Sequence, residues 1–377
     1  MTVTAAPAPS IAATILVPQD RVPRQPLGPW AAELARRTAE VLRGVRGTHA
    51  LAGELAGIGN QAALIAASRG DAAVAWRLTE RQLWWHGRQA RRARDPGVAA
   101  WALQPWVNLG RLEALAGRWR EALARFSGLG TYEMTDTVQL GCVRLHGPAW
   151  RTLTRSREQF LRFLETVYVT DTLKALLLNR QWDRVPAFAA PFADGEQRWI
   201  CEEACVVAQC RAGAPRTAAA RAGIAARQAQ GWTRAVLRLR AAEAHACADE
   251  PQAAREILVR MARVVREVSV EQLANPSLAP VTARMAAAAQ EAGLMEDAYA
   301  LAGRVLQGAR AARDECMQID MLRLLADAAP ERERETWAAA LEAAEGTTEY
   351  ARYRRGDPPS NPVISELYER LEALFSN

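Results

Sequence analysis

The stretch from Gln104 to Phe126, QPWVNLGRLEALAGRWREALARF, decides the fold. It reads as an apolar helical face, a Gly117-Arg118 corner and a second helix of the same kind. Where the two helices of such a hairpin cross, only small side chains fit. Gly110 and Ala122 supply that gap, while Trp106, Leu109 and Phe126 fill the volume around it. Gly117 can adopt the left-handed backbone that a helix end requires.

Working outward, similar corners recur at Gly70-Asp71, Gln181-Trp182, Gly213-Ala214-Pro215, Asp249-Glu250-Pro251 and Gly293-Leu294. Four residues past the corners stand Ala75, Ala122, Val185, Ala218, Ala254 and Ala298, all small or branched. Most corners are separated by roughly 32 to 47 residues, the range of two-helix repeats. The gap from Gly117 to Gln181 is about 64 residues and calls for an extra hairpin or an insertion. Alanine, leucine, arginine and glutamate dominate, and β-branched alternation is nearly absent, as an all-helical chain requires.

The positions of Trp106, Leu109, Gly110, Ala122 and Phe126 resemble the large, leucine, small, alanine and aromatic positions of the tetratricopeptide repeat family. The resemblance covers Asn60 to Gly308, with one specific unit and five loose ones. It departs from the family at Glu113, where a tyrosine is usual, and at Met134, where a proline closes the unit. The resemblance implies an all-α chain, a right-handed α-α superhelix of antiparallel helix hairpins, whose usual work is binding and not chemistry. In the family the first helix of each unit lines a concave face. Carried onto the clear unit, the lining residues are Gln104, Asn108 and Arg111. The unit aligned through Gln181-Trp182 contributes Asp171 and Lys174, and looser alignments add Asn60, Gln61, Glu203, Arg240, Glu243 and Arg284. Lys174 is the only lysine of the chain, and Asp171, three residues earlier, is a ready helical partner for it. Such a groove can hold an extended peptide, its backbone satisfied by the amides and its carboxylate by Arg111 or Lys174.

Residues 1–29 are proline-rich and non-periodic, which predicts a flexible arm. The repeat domain is expected over 30–345, with an irregular or inserted segment near 128–165. A loop and a C-terminal capping helix follow over 346–377, the helix from Ser365 to Phe375 presenting Leu367, Leu371 and Leu374.

The formal charge is +6 over 377 residues, almost all of the positive side arginine. That bias, with abundant alanine, points to a GC-rich bacterial genome. The densest cluster, Arg88, Arg91, Arg92 and Arg94, ends a long helix, where positive charge complements the helix dipole. No nucleic-acid-binding signature accompanies it, so nucleic acid is not the expected partner. No run of eighteen uncharged apolar residues exists, so no membrane span is expected, and a cytoplasmic location fits the six unpaired-looking cysteines. Cys201 and Cys205 share a helix face within reach of Cys210 and His245, yet no paired CxxC spacing marks a zinc site. Among the four histidines, His86 beside Trp84 and Trp85 has the most suggestive setting. No phosphate loop, dinucleotide fingerprint, GxSxG or HExxH occurs, and no cofactor is expected. Three readings stay open. They are a non-catalytic scaffold for a protein or peptide partner, an enzyme or accessory protein of bacterial specialised metabolism with a pocket in a helical shell, and a ligand-sensing partner of a transcriptional regulator. A homo-oligomer is compatible with each.

Overall fold

The computed structural model describes residues 27–44, 47–68, 71–130, 137–275, 278–347 and 362–376. The described chain is all-α apart from one two-stranded hairpin. The described residues divide into two compact units, one within 26–180 together with 362–376, the other within 181–347.

In the first unit the helices are α1 (Leu27–Arg43), α2 (Thr48–Ser68), α3 (Ala72–Ala93), α4 (Pro96–Ala100), α5 (Leu103–Leu115) and α6 (Trp119–Gly130). The hairpin strands are β1 (Thr137–Leu140) and β2 (Val143–His146). After them come α7 (Trp150–Leu153) and α8 (Arg157–Leu178), and α19 (Pro362–Ser376) completes the unit. The second unit runs α9 (Arg184–Ala189), α10 (Arg198–Arg211), α11 (Pro215–Gln228), α12 (Gly231–Cys247), α13 (Pro251–Arg266), α14 (Val270–Leu273), α15 (Ala279–Glu291), α16 (Met295–Ala311), α17 (Glu315–Ala328) and α18 (Glu331–Thr347). Helix α1 starts inside the arm expected over 1–29; the rest of that arm, Met134, Gly70 and the 348–361 loop lie outside the described residues.

Five of the six expected corners join helices that pack on each other, α2 on α3, α5 on α6, α10 on α11, α12 on α13 and α15 on α16. They share one backbone device. An N–H bonds the carbonyl five residues back, from Asp71 to Ala66, Arg118 to Glu113, Ala214 to Gln209, Glu250 to His245 and Leu294 to Ala289, each at 2.8–2.9 Å. This closure uses carbonyls that the helix end leaves unsatisfied, and it needs a left-handed residue just before the bond. Gly117 supplies that conformation with φ 81°, and Asp249 does so at φ 60° where no glycine stands. A further corner escapes a glycine-based search for the same reason. Arg313 sits at φ 54°, and Asp314 N–H reaches Ala309 O at 2.9 Å between α16 and α17. The sixth corner, Gln181-Trp182, is where the chain leaves one unit for the other.

The small residues after the corners are all buried, Ala75, Ala122, Val185, Ala218 and Ala298 completely. In the clear hairpin, a Cβ added to Gly110 would lie 2.5 Å from Cε1 of the fully buried Phe126. Glu113, at the position of the missing tyrosine, is itself buried and takes a forked ion pair from Arg125 of α6 at 2.8 and 2.9 Å. The Arg125 guanidinium also lies 4.5 Å over the Trp106 ring, whose Nε1 donates to Arg125 O at 3.0 Å. An ion pair and a stacked indole thus hold α5 to α6.

Between the corners at Gly117 and Gln181 the chain forms a β-hairpin. Strands β1 and β2 pair antiparallel, Leu140 opposite Val143. Gly141, at φ 60°, takes the first position of the two-residue loop, which wants positive φ. Val138, Leu140, Val143 and Leu145 point into the core beside Phe126 and Phe160. Helix α19 packs on α3 and α1 of the first unit through Ile364, Leu367, Leu371 and Phe375. Arg88 of the expected basic cluster donates to Phe375 O at 2.7 Å and Ser376 O at 3.1 Å, so it caps the C-terminus of α19 and not only its own helix.

Gly110→Ala is expected to lower stability by about 1–3 kcal/mol through overpacking against Phe126. Phe126→Leu in the same chain should recover part of that loss. Thermal or urea denaturation of the two single variants and the double variant measures the coupling; strict additivity would contradict the contact.

Candidate functional site

Most of the residues expected to line a groove fall into two ladders, one in each unit, and within each ladder they bind one another. In the first unit the ladder crosses α2, α5 and α8. Gln104 donates to Asn108 at 2.9 Å, Asn108 lies 3.4 Å from Asn60, and Arg111 forks onto both oxygens of Asp171 at 3.0 and 2.8 Å. Asp171 is buried and Arg111 remains 46% exposed. Asp171 therefore serves α5 from across the helix pair, where helical spacing alone pointed to Lys174. Lys174 is half-buried on the same helix. Gln61 lies on the α2 flank and accepts from Trp30 Nε1 at 3.2 Å.

In the second unit the ladder crosses α10, α12 and α15. Arg240 donates to Glu203 at 3.0 and 2.8 Å and to Glu243 at 2.8 Å; Arg284 continues to Glu243 at 2.5 Å and to Glu291 at 2.9 and 3.2 Å. Glu203 is wholly covered and Arg240 is 4% exposed. Burial works against the Arg240 cation, but the Glu243 and Glu203 carboxylates outweigh it and hold its pKa above the usual arginine value. Burial likewise works against the Glu243 anion, and Arg240 and Arg284 outweigh it to keep its carboxyl below the usual range. This is a row of alternating charge, of which Glu203, Arg240, Glu243 and Arg284 were visible in the sequence as separate polar positions but not as partners. Glu291, the outermost member, carried no sequence signal of its own.

The other candidates resolve differently. Trp84 is 50% exposed, Trp85 is buried against Phe375 with ring centroids 6.0 Å apart, and Trp101 is half-buried. Cys201 and Cys205 are buried in the core. Burial, and then the neighbouring Cys247 thiol, push the Cys210 thiol up to about 12, so it is a poor thiolate. Among the described residues no group of three or more His, Cys, Asp or Glu gathers as metal ligands, and no helix is long and apolar enough to cross a membrane. His86 is completely buried, and neither ring nitrogen finds a hydrogen-bond partner among the described residues. Burial alone pulls its pKa down to about 3 from an ordinary 6.5. A neutral imidazole held this way is core, not a base poised near neutrality.

No family model matches the chain, and no curated protein matches it.

Two outcomes follow. Arg240→Ala strands Glu203 in the interior and is expected to cost about 3–5 kcal/mol. Replacing the pair together, Glu203→Leu with Arg240→Leu, should cost much less, as read by denaturation. For His86 the folded pKa is depressed, so its contribution is complete above pH 6.5 and is lost as pH falls from 6.5 toward 3. The unfolding free energy, from urea denaturation across that window, should fall less steeply in His86→Leu than in the native chain, by up to roughly 1.4 kcal/mol per pH unit. Identical slopes would contradict it.

Proposed function

We propose that the chain is a non-catalytic, tetratricopeptide-like scaffold that holds a peptide or protein segment along the first-helix face of the 26–180 unit. The observation that carries this is the state of Arg111. Its guanidinium is oriented by the buried Asp171 yet remains 46% exposed, and the amides of Asn108, Gln104 and Asn60 follow it in a row. An arginine fixed in place and still open to solvent loses little freedom on gripping a carboxylate. The amides beside it offer both donors and acceptors to an extended backbone. Lys174 adds positive charge on the adjoining helix. The ladder through Arg240 is covered and serves the packing of its own unit, so Glu203, Arg240 and Glu243 are assigned to structure and not to ligand. The row of hairpins with matching corners supports the repeat reading, since such arrays present long surfaces built from neighbouring units.

Arg111→Glu alone would set two carboxylates together at a buried site, so the informative variant exchanges the pair, Arg111→Glu with Asp171→Arg, and adds Lys174→Glu. A pull-down from a lysate of the source cell, followed by titration of the protein retained, tests the proposal. The native chain is expected to retain a partner that the triple variant binds at least about tenfold more weakly, roughly 1.4 kcal/mol. Equal affinity would remove the ladder from the binding surface.

A further inference from the structure

The positive charge of this chain is not spread evenly. Between Arg211 and Arg266 there are eleven arginines against four carboxylates, a surplus of seven in a chain whose whole formal charge is +6. Part of that surplus is spent internally: Arg221 on Glu202, Arg216 on Glu250, Arg240 in its ladder and Arg266 on Asp297. Of the seven others, five gather around two clefts that share Arg260. One, of about 190 Å³, has Arg227, Arg238 and Arg260 at its rim and Ala226, Ala241 and Ile257 in its floor. The other, of about 430 Å³, has Arg255, Arg260 and Arg263 at its rim with Val259 and Leu294 beneath. No carboxylate among the described residues pairs with Arg227, Arg238, Arg255 or Arg263. Glu256 is the only acid lining either cleft, and its contact with Arg260 is loose, 3.8 Å between two mostly exposed side chains. Two large apolar side chains, Ile224 and Val264, stand exposed at 52% and 60% on α11 and α13 of the same unit.

Five arginines with one carboxylate among them repel each other unless an anion lies over them. The floors say which kind. Phosphates of a nucleic acid need no apolar floor, and base stacking wants aromatic rings, of which neither cleft has any. A segment with acidic residues on one side and branched aliphatic residues on another satisfies both features at once, its aliphatic side chains in the clefts and its carboxylates forked by the guanidiniums. We propose that the α11–α13 face is a docking surface for an acidic amphipathic segment of a partner protein, centred on Arg260. This surface is independent of the ladder at Arg111: it lies on other helices and in the other unit.

A fluorescein-labelled synthetic peptide of glutamates, with leucines at helical three- and four-residue spacing, serves as the probe, read by anisotropy on the full chain. The native chain is expected to bind it, more weakly as salt is raised. Arg238→Glu with Arg260→Glu should weaken binding at least about tenfold, the scale of losing charge-assisted contacts. The melting temperature should hold, because these side chains are exposed. The leucine-free peptide should bind at least about tenfold more weakly than the amphipathic one. Arg91→Glu with Arg92→Glu, and the Arg111/Asp171 exchange, should leave probe binding unchanged, which separates this surface from the ladder. Absence of binding, an equal loss in the Arg91/Arg92 variant, or a leucine-free peptide or single-stranded oligonucleotide binding as tightly would overturn the proposal.

Discussion

The closeness with which paired helices approach one another governs this structure. At Gly110 there is no room for even one additional carbon beside Phe126, and at Gly308 an added Cβ would lie 2.7 Å from the Leu273 backbone. Backbones packed at that range need small residues at the crossing and a tight reversal just before it. The recurring corner provides the reversal: a left-handed residue, then an N–H closed onto the carbonyl five residues back. The buried small residue four positions later is the same constraint seen from the next helix.

Close approach also determines where charge can be. When helices pack tightly, polar side chains on their facing edges lose water and must be satisfied by each other. Hence Arg240 lies between Glu203 and Glu243, Arg284 between Glu243 and Glu291, Arg111 on Asp171, and Arg125 on Glu113. Buried pairs of this type add little net stability, since desolvation offsets most of the attraction, but a mismatched register would strand a charge. Their contribution is to hold one helix at one height against the next. The two ladders differ in one respect that matters for function: one is closed to solvent at its arginine and the other is open.

Charge outside the ladders is only partly used by the fold. Arg88 is drawn into the fold by the carbonyls that end α19, whereas the arginines around Arg260 have no comparable partner. Surface charge that packing does not consume is where an external partner is sought, and its apolar floor narrows the chemistry of that partner.

What the sequence determined by itself was local. Helix-forming composition, corner residues and the small residue four positions on are all set within a few residues of one another, so the helices and five of the packed corners were legible, as were the polar positions that later pair. The Arg313 corner was not, because an arginine in the left-handed region leaves no compositional mark. Neither was the β-hairpin, whose four-residue strands are too short to show a period against a helical background. Tertiary structure alone decided the pairings. Arg111 meets Asp171 across 60 residues and Arg240 meets Glu203 across 37; Arg88 reaches a carbonyl 287 residues away. The sequence shows that α19 is amphipathic, but only packing shows that its apolar face closes on α1 and α3. A side chain's chemistry is written at its own position, while its partner depends on which helices are brought together.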